Sequence, residues 1–261
     1  MTTLRPPAVA GLFYPDDARE LRDMVREFLR EAATAGNAPK AIIAPHAGYV
    51  YSGPVAASAY ALLAPNKDTI GRVVLMGPSH RVGFNGIAAT HADVYGTPLG
   101  NIPVDRTALE KILDLPFVGF LDQAHAQEHS LEVHLPFLQE VLGEFQLVPL
   151  VAGNASPEQV AEVLDRLWGG PETLIVISSD LSHYHDYATA QRMDRATSEA
   201  IENLDPGGVD YESACGRVPV NGLLYSARRR CMNAKTIDLR NSGDTAGGKD
   251  RVVGYGAYVF E

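Results

Sequence analysis

Cysteine is scarce in this chain: two in 261 residues, Cys215 and Cys231. That number excludes the disulfide framework of a small secreted domain and makes a reducing cytoplasm the expected compartment. Positive charge is in deficit, with 22 Lys and Arg against 32 Asp and Glu and a net charge of −10. A nucleic-acid or anionic-membrane binder needs the opposite balance, and the one dense basic run, Arg228-Arg229-Arg230, reads as a helix end. No G-x-G-x-x-G follows an apolar run and there is no P-loop, so nothing specifies a nucleotide. The opening MTTLRPPAVAGLFYP has one arginine and a proline-broken apolar stretch, unlike a signal peptide. One segment, 41–66, is free of Asp, Glu, Lys and Arg. It contains Pro45, His46, Gly48, Gly53 and Pro54, which would break a helix in lipid and strand its backbone groups. The expectation is a soluble protein with no membrane partner.

What is present reads as one α/β domain over 1–261, with no repeat and no linker. The stripe Leu21, Met24, Val25, Phe28, Leu29 predicts a helix over Asp16 to Ala35, closed by Gly36. The apolar runs AIIAP (41–45), RVVLMG (72–77), QLVPLV (146–151) and TLIVISS (173–179) lack polar alternation and predict strands buried on both faces. Helical patterns fall near 53–64, 105–114, 130–143 and 156–168. The last opens with Ser156-Pro157-Glu158-Gln159, a capping box with proline at the first helical position. RVVGYGAYVF (251–260) predicts a final strand after a mobile loop, SGDTAGGKD. Alternating strands and helices imply an α/β fold with a largely parallel or mixed sheet covered on both faces.

Chemistry gathers at the histidines. Of eight, three lie just beyond buried apolar runs: His46 in AIIAPH, His80 in VVLMGPSH and His183 in VISSDLSH. In open α/β sheets, functional groups collect beyond the carboxyl ends of the strands. Singly, each reads as a hydrogen-bonded loop histidine. Three in one setting offer converging imidazole lone pairs, which is what a metal ion needs. In EHSLEVH (128–134) the two histidines are five apart, about 140° around a helix, which is not the chelating i, i+4 pair. Glu128 and His129 are expected in the loop before a helix, available as acid, base or supporting partners, and His134 as a core or surface helix residue. Cys215 in ACGRVP taken alone reads as a small buried hydrophobe, while its neighbouring glycine and arginine favour an accessible, thiolate-leaning sulfur. Cys231, His91, His125 and His185 read as packing or surface residues.

In order along the chain, RPPAVAGLFYP, APHAGYVYSGPVAASAY, LMGPSHR, EHSLEVHLPFLQ, ISSDLSHY and CGRVPV resemble the Memo family, in prokaryotes the Memo-like protein B of the AmmeMemoRadiSam set. The resemblance implies a three-layer α/β/α fold with a mixed, largely parallel central sheet, similar to class III extradiol dioxygenases of the protocatechuate 4,5-dioxygenase type. It implies pocket histidines at His46, His80 and His183, a cysteine at Cys215, an aspartate at Asp180 and a further pocket histidine at His129. The dioxygenases hold Fe(II) with two histidines and a carboxylate; here a thiolate stands in the carboxylate's place, which shifts preference toward softer metals. Iron or copper is expected ahead of zinc.

The first expectation is therefore a metal-dependent oxidoreductase acting on a small oxygen-rich substrate or on O2. His46, His80 and Cys215 hold the ion, His183 is a fourth ligand or a base, Asp180 orients His183 or titrates beside the metal, and His129 moves protons. The second is a non-catalytic Memo module that binds a peptide, carboxylate or phosphate in the same pocket, or partners the other AmmeMemoRadiSam proteins. Metal-assisted hydrolysis at zinc is a third. The resemblance also implies phosphopeptide binding by animal members, which the charge of −10 does not support. A homodimer is compatible with the sequence, though no apolar stripe compels one.

Overall fold

The computed structural model describes residues 2–32 and 38–261. The uncharged apolar runs form the centre of a sheet because nothing on either of their faces asks for water. Strands β2 (Ala41–Ala44), β3 (Arg72–Pro78), β8 (Gln146–Ala152) and β9 (Thr173–Ser178) lie in the order β2-β9-β3-β8, all parallel. Every residue of β2 and β9 is buried.

The flanks turn antiparallel. On one side β12 (Val252–Phe260) pairs β2, and β10 (His183–His185) and β11 (Ala234–Asn241) both pair β12; on the other, β4 (Ile87–Ala89) pairs β8 antiparallel and β7 (Val118–Phe120) pairs β4 parallel. Among the described residues this makes a mixed nine-stranded sheet that is parallel at its centre. A second sheet joins β1 (Leu4–Arg5), β5 (Val94–Thr97) and β6 (Gly100–Pro103).

Helices cover both sides. Helix α1 (Ala18–Glu31) packs on α2 (Tyr49–Tyr60), and α2 packs on β2, β11 and β12. Short helices α3 (Arg106–Glu110), α4 (Asp122–Ala126), α5 (His129–Glu132) and α6 (Leu135–Leu142) follow, with α6 against α1 and α2. Helix α7 (Pro157–Leu167), with its Ser156–Gln159 capping box, packs on α9 (Arg217–Arg229), and α9 lies on β3 and β9; α8 (Tyr187–Glu202) packs on β11 and β12. The α/β architecture expected from the sequence is present. No described helix is long and apolar enough to cross a membrane.

Several local expectations need correction. Helix α1 ends at Glu31, and the expected stop at Ala35 and Gly36 lies outside the described residues. The 130–143 pattern splits into α5 and α6, because Pro136 starts a new helix at its first turn. The 242–250 loop opens with an Asn241-capped turn, Ser242–Asp244. Strand β11 and helix α8 carry no strong apolar period: β11 is only half-buried, and α8 packs through Ala190, Thr197, Ser198 and Ala200. Cys231 is exposed in a left-handed turn (φ +52°) after α9, not packed in the core.

Candidate metal centre

Three neighbouring parallel strands end together, and the residues after them meet. Ala44 of β2 is in register with Ser178 of β9, and Met76 of β3 with Ile177. His46, Asp180 and His80 therefore leave the sheet side by side at its carboxyl edge. Ring centroids of His46 and His80 are 5.1 Å apart, and His129, the first residue of α5, stacks on His80 at 4.5 Å. The loop before α9 brings Cys215 Sγ to 3.3 Å from His46 Nε2. The potential ligand atoms of His46, His80 and Cys215 all lie within 4.8 Å of one another. Two ligands of one ion, each about 2.0–2.3 Å from it, fit within that spread.

The hydrogen bonds decide which nitrogens are free. His80 places Nδ1 2.8 Å from Glu128 Oε1, and its backbone N–H donates to Glu128 Oε2 at 2.6 Å. A carboxylate only accepts, so Nδ1 carries the proton and Nε2 keeps its lone pair. Glu128 also accepts from Ser130 N–H at 2.9 Å as the N-cap of α5. His80, Glu128 and His129 form a second convergent group. With Glu128 committed to three N–H donors, its carboxylate serves His80 rather than an ion. Glu128 is buried, which opposes ionisation, but the hydrogen bonds and charge of His80 hold it down at about 2.

Burial is the largest influence on the other groups. Burial first and neighbouring imidazoles second hold His46 far below the ordinary histidine value, and His129 at about 4, so both rings are neutral. Asp180 is buried and pushed up to about 6, with His183 and the backbone N–H of His46 pulling it back; that N–H lies 2.7 Å from Oδ1. Burial, and then the Asp180 carboxylate, push the Cys215 thiol well above its usual range. This corrects the expected thiolate-leaning sulfur. Arg217 lies over the Tyr211 ring at 5.5 Å. A metal ion binding this sulfur would have to displace the thiol's proton to solvent.

Gly216 is a packing requirement rather than a source of flexibility. A Cβ there would lie 2.5 Å from the Ser178 carbonyl oxygen and 2.6 Å from Ser179 Cβ. Gly216→Ala is expected to cost about 1–3 kcal/mol by overpacking, read by urea unfolding; an unchanged midpoint would show that the Cys215 loop is free to shift.

His183 stands apart from both convergent groups. It begins the edge strand β10, whose pairing with β12 is bulged between His183 and His185, and Tyr184 between them adopts φ +63°. Such a bulge re-aims side chains. Here His183 and His185 join His80, Cys215, Tyr211 and Glu212 in lining a cavity of about 580 Å³. His185, read as a bland residue, is thus on the cavity wall. A second cavity of about 510 Å³ shares Pro78, Ser79, Tyr211 and Cys215 with the first and adds Phe84, Asn154 and Arg217. His91 pairs with Asp122 at the surface, and His125 is buried against Tyr95 and the Ala88 carbonyl.

His129 is helical, not in a loop as expected, because Glu128 caps α5 one residue earlier. Sequence reasoning missed Ser178, Ser130 and the buried role of His134. His134 Nε2 is 2.8 Å from Ser178 Oγ, which is 2.6 Å from His46 Nδ1. The placement of Ser178 at the last position of an apolar strand was the available signal.

Residues 5–259 match the family described as Memo-like protein. A MEMO1 family protein of Methanopyrus kandleri is 38% identical, covering 98% of each chain. One from Ignicoccus hospitalis is 36% identical with the same coverage, and one from Thermotoga maritima is 37% identical over 96% of this chain and 97% of its own. A family match over nearly the full length, with relatives 36–38% identical over 96–98% of this chain, places the chain in the Memo family.

Proposed function

We propose that this protein is a metal-dependent oxidoreductase whose iron or copper ion is held by His46, His80 and Cys215. The observation that carries the reading is the donor set: two neutral-type imidazoles with their Nδ1 atoms already engaged, and one thiol, converge within 4.8 Å, and His80 and Cys215 among them line a cavity. A thiolate with two nitrogens favours a soft or borderline ion, and such an ion would supply one-electron chemistry at that corner of the cavity. His183, which lines the same cavity, would act as a base toward a small oxygen-rich substrate or as a further ligand of the ion. His129, neutral down to about pH 4, accepts a proton at Nε2 while Nδ1 faces Glu128 at 3.4 Å. Asp180, at about 6, holds the His46 backbone and exchanges a proton near neutrality. The cavity of about 580 Å³ accommodates a small molecule.

Elemental analysis of protein purified without chelators, followed by anaerobic titration of Fe(II), Cu(I) and Zn(II), tests this. His80→Ala and Cys215→Ser are each expected to lose stoichiometric metal while keeping the wild-type circular dichroism spectrum. Full metal occupancy in both variants would remove the assignment.

A further inference from the structure

Ser178 sits at the end of β9 with no exposed surface, and its hydroxyl has three polar neighbours. The Ser130 carbonyl oxygen is 2.6 Å away, His46 Nδ1 2.6 Å, and His134 Nε2 2.8 Å. A serine hydroxyl has one proton to give and two lone pairs to offer. The carbonyl can only accept, so the proton goes there. Both imidazoles must then donate to Ser178 Oγ. His46 therefore carries its proton on Nδ1, and its bare Nε2 faces Cys215 Sγ at 3.3 Å. His134 carries its proton on Nε2, and its Nδ1 accepts from Tyr60 O–H at 2.8 Å. Any other assignment leaves two acceptors facing each other, or two donors, in a site closed to water.

We propose that Ser178, backed by His134 and Tyr60, is a buried tautomer lock that presents the unprotonated Nε2 of His46 toward Cys215. The role of His46 as a ligand rests on the reading above; the lock itself does not. It is a positioning device and not a proton path, because Tyr60 and His134 are fully buried and the chain of hydrogen bonds ends at Tyr60. It also differs in kind from the arrangement at His80. There the partner is the Glu128 carboxylate, whose negative charge makes the ring a stronger donor. At His46 the partner is a neutral hydroxyl, which sets direction without adding charge. The centre thus has one charged and one neutral support.

The tautomers can be read in the metal-free wild type by long-range proton–nitrogen correlation on histidine-labelled protein at pH 7.5, with resonances assigned through single His→Gln variants. His46 is expected as the Nδ1–H form and His134 as the opposite, Nε2–H form. Finding His46 as Nε2–H, or averaging between forms, overturns the lock. Ser178→Ala is expected to release His46 into a mixture of tautomers and to weaken Zn(II) binding by about tenfold to a hundredfold. An unchanged His46 spectrum in that variant overturns it equally. Expected tautomers in a wild type that fails to bind metal support the lock and count against the metal reading alone.

Discussion

Between pH 7.5 and 9, Zn(II) affinity is expected to rise about tenfold for each unit of pH, with one proton released per ion bound. The proton comes from Cys215. Burial and the Asp180 carboxylate raise its thiol above the ordinary value, so the metal-free protein holds the proton across this window. An ion can bind the sulfur only as it displaces that proton, and lower pH favours the protonated, metal-free form. His46 and His129 are already neutral here and add nothing to the slope. Near pH 6 Asp180 also takes up a proton, which removes negative charge beside the ion and steepens the loss. Calorimetry in buffers of different ionisation enthalpy counts the proton directly. Cys215→Ser should flatten the dependence and weaken binding. A wild-type affinity independent of pH above 7.5 would mean that Cys215 is not a ligand.

Glu132→Gln is expected to destabilise the protein by about 3–5 kcal/mol, the cost of leaving a buried charge without its partner. Glu132 has no exposed surface and accepts from the Arg5 guanidinium, from Ala8 N–H at 2.8 Å and Val9 N–H at 3.0 Å, and from Tyr14 O–H at 2.5 Å. Arg5 in turn donates to the carbonyls of His125 at 3.0 Å and Glu128 at 2.6 Å. The N-terminal segment is thereby fastened to the two turns that precede and carry His129. Glutamine replaces one acceptor oxygen by a donor that faces other donors. Removing Arg5 as well, in Arg5→Met/Glu132→Gln, should cost less than the two single changes summed, because no unpaired charge then remains. Urea unfolding measures all three. A loss below about 1 kcal/mol for Glu132→Gln would show that the guanidinium finds water or another carboxylate instead.

His46 and His80 were legible as a pair because local pattern alone marks where a buried strand stops, and the sheet rule says what collects there. His183 had the same local signature, yet it starts an edge strand and does not join the convergent donor groups. The difference lies in pairing: Leu181 and Gly254 tie that loop to β12, a partner more than seventy residues away. Cys215 was ambiguous for a related reason. Its neighbours in sequence suggested an ionised thiol, whereas burial and the Asp180 carboxyl beside it in space keep it protonated.

From the sequence alone came the alternation of fully apolar strands with helices, the capping box of α7 and the delivery of histidines to one edge. These depend on composition and period over a few residues, where burial and hydrogen bonding are local. The tertiary structure alone decided which nitrogen of each imidazole is free, that Glu128 supports His80, and that Ser178 and His134 stand behind His46. It also decided that Glu132 closes on Arg5. Those contacts join residues 48, 132, 44 and 127 positions apart. A donor's partner at that distance is chosen by strand register and helix packing, and no local propensity encodes it.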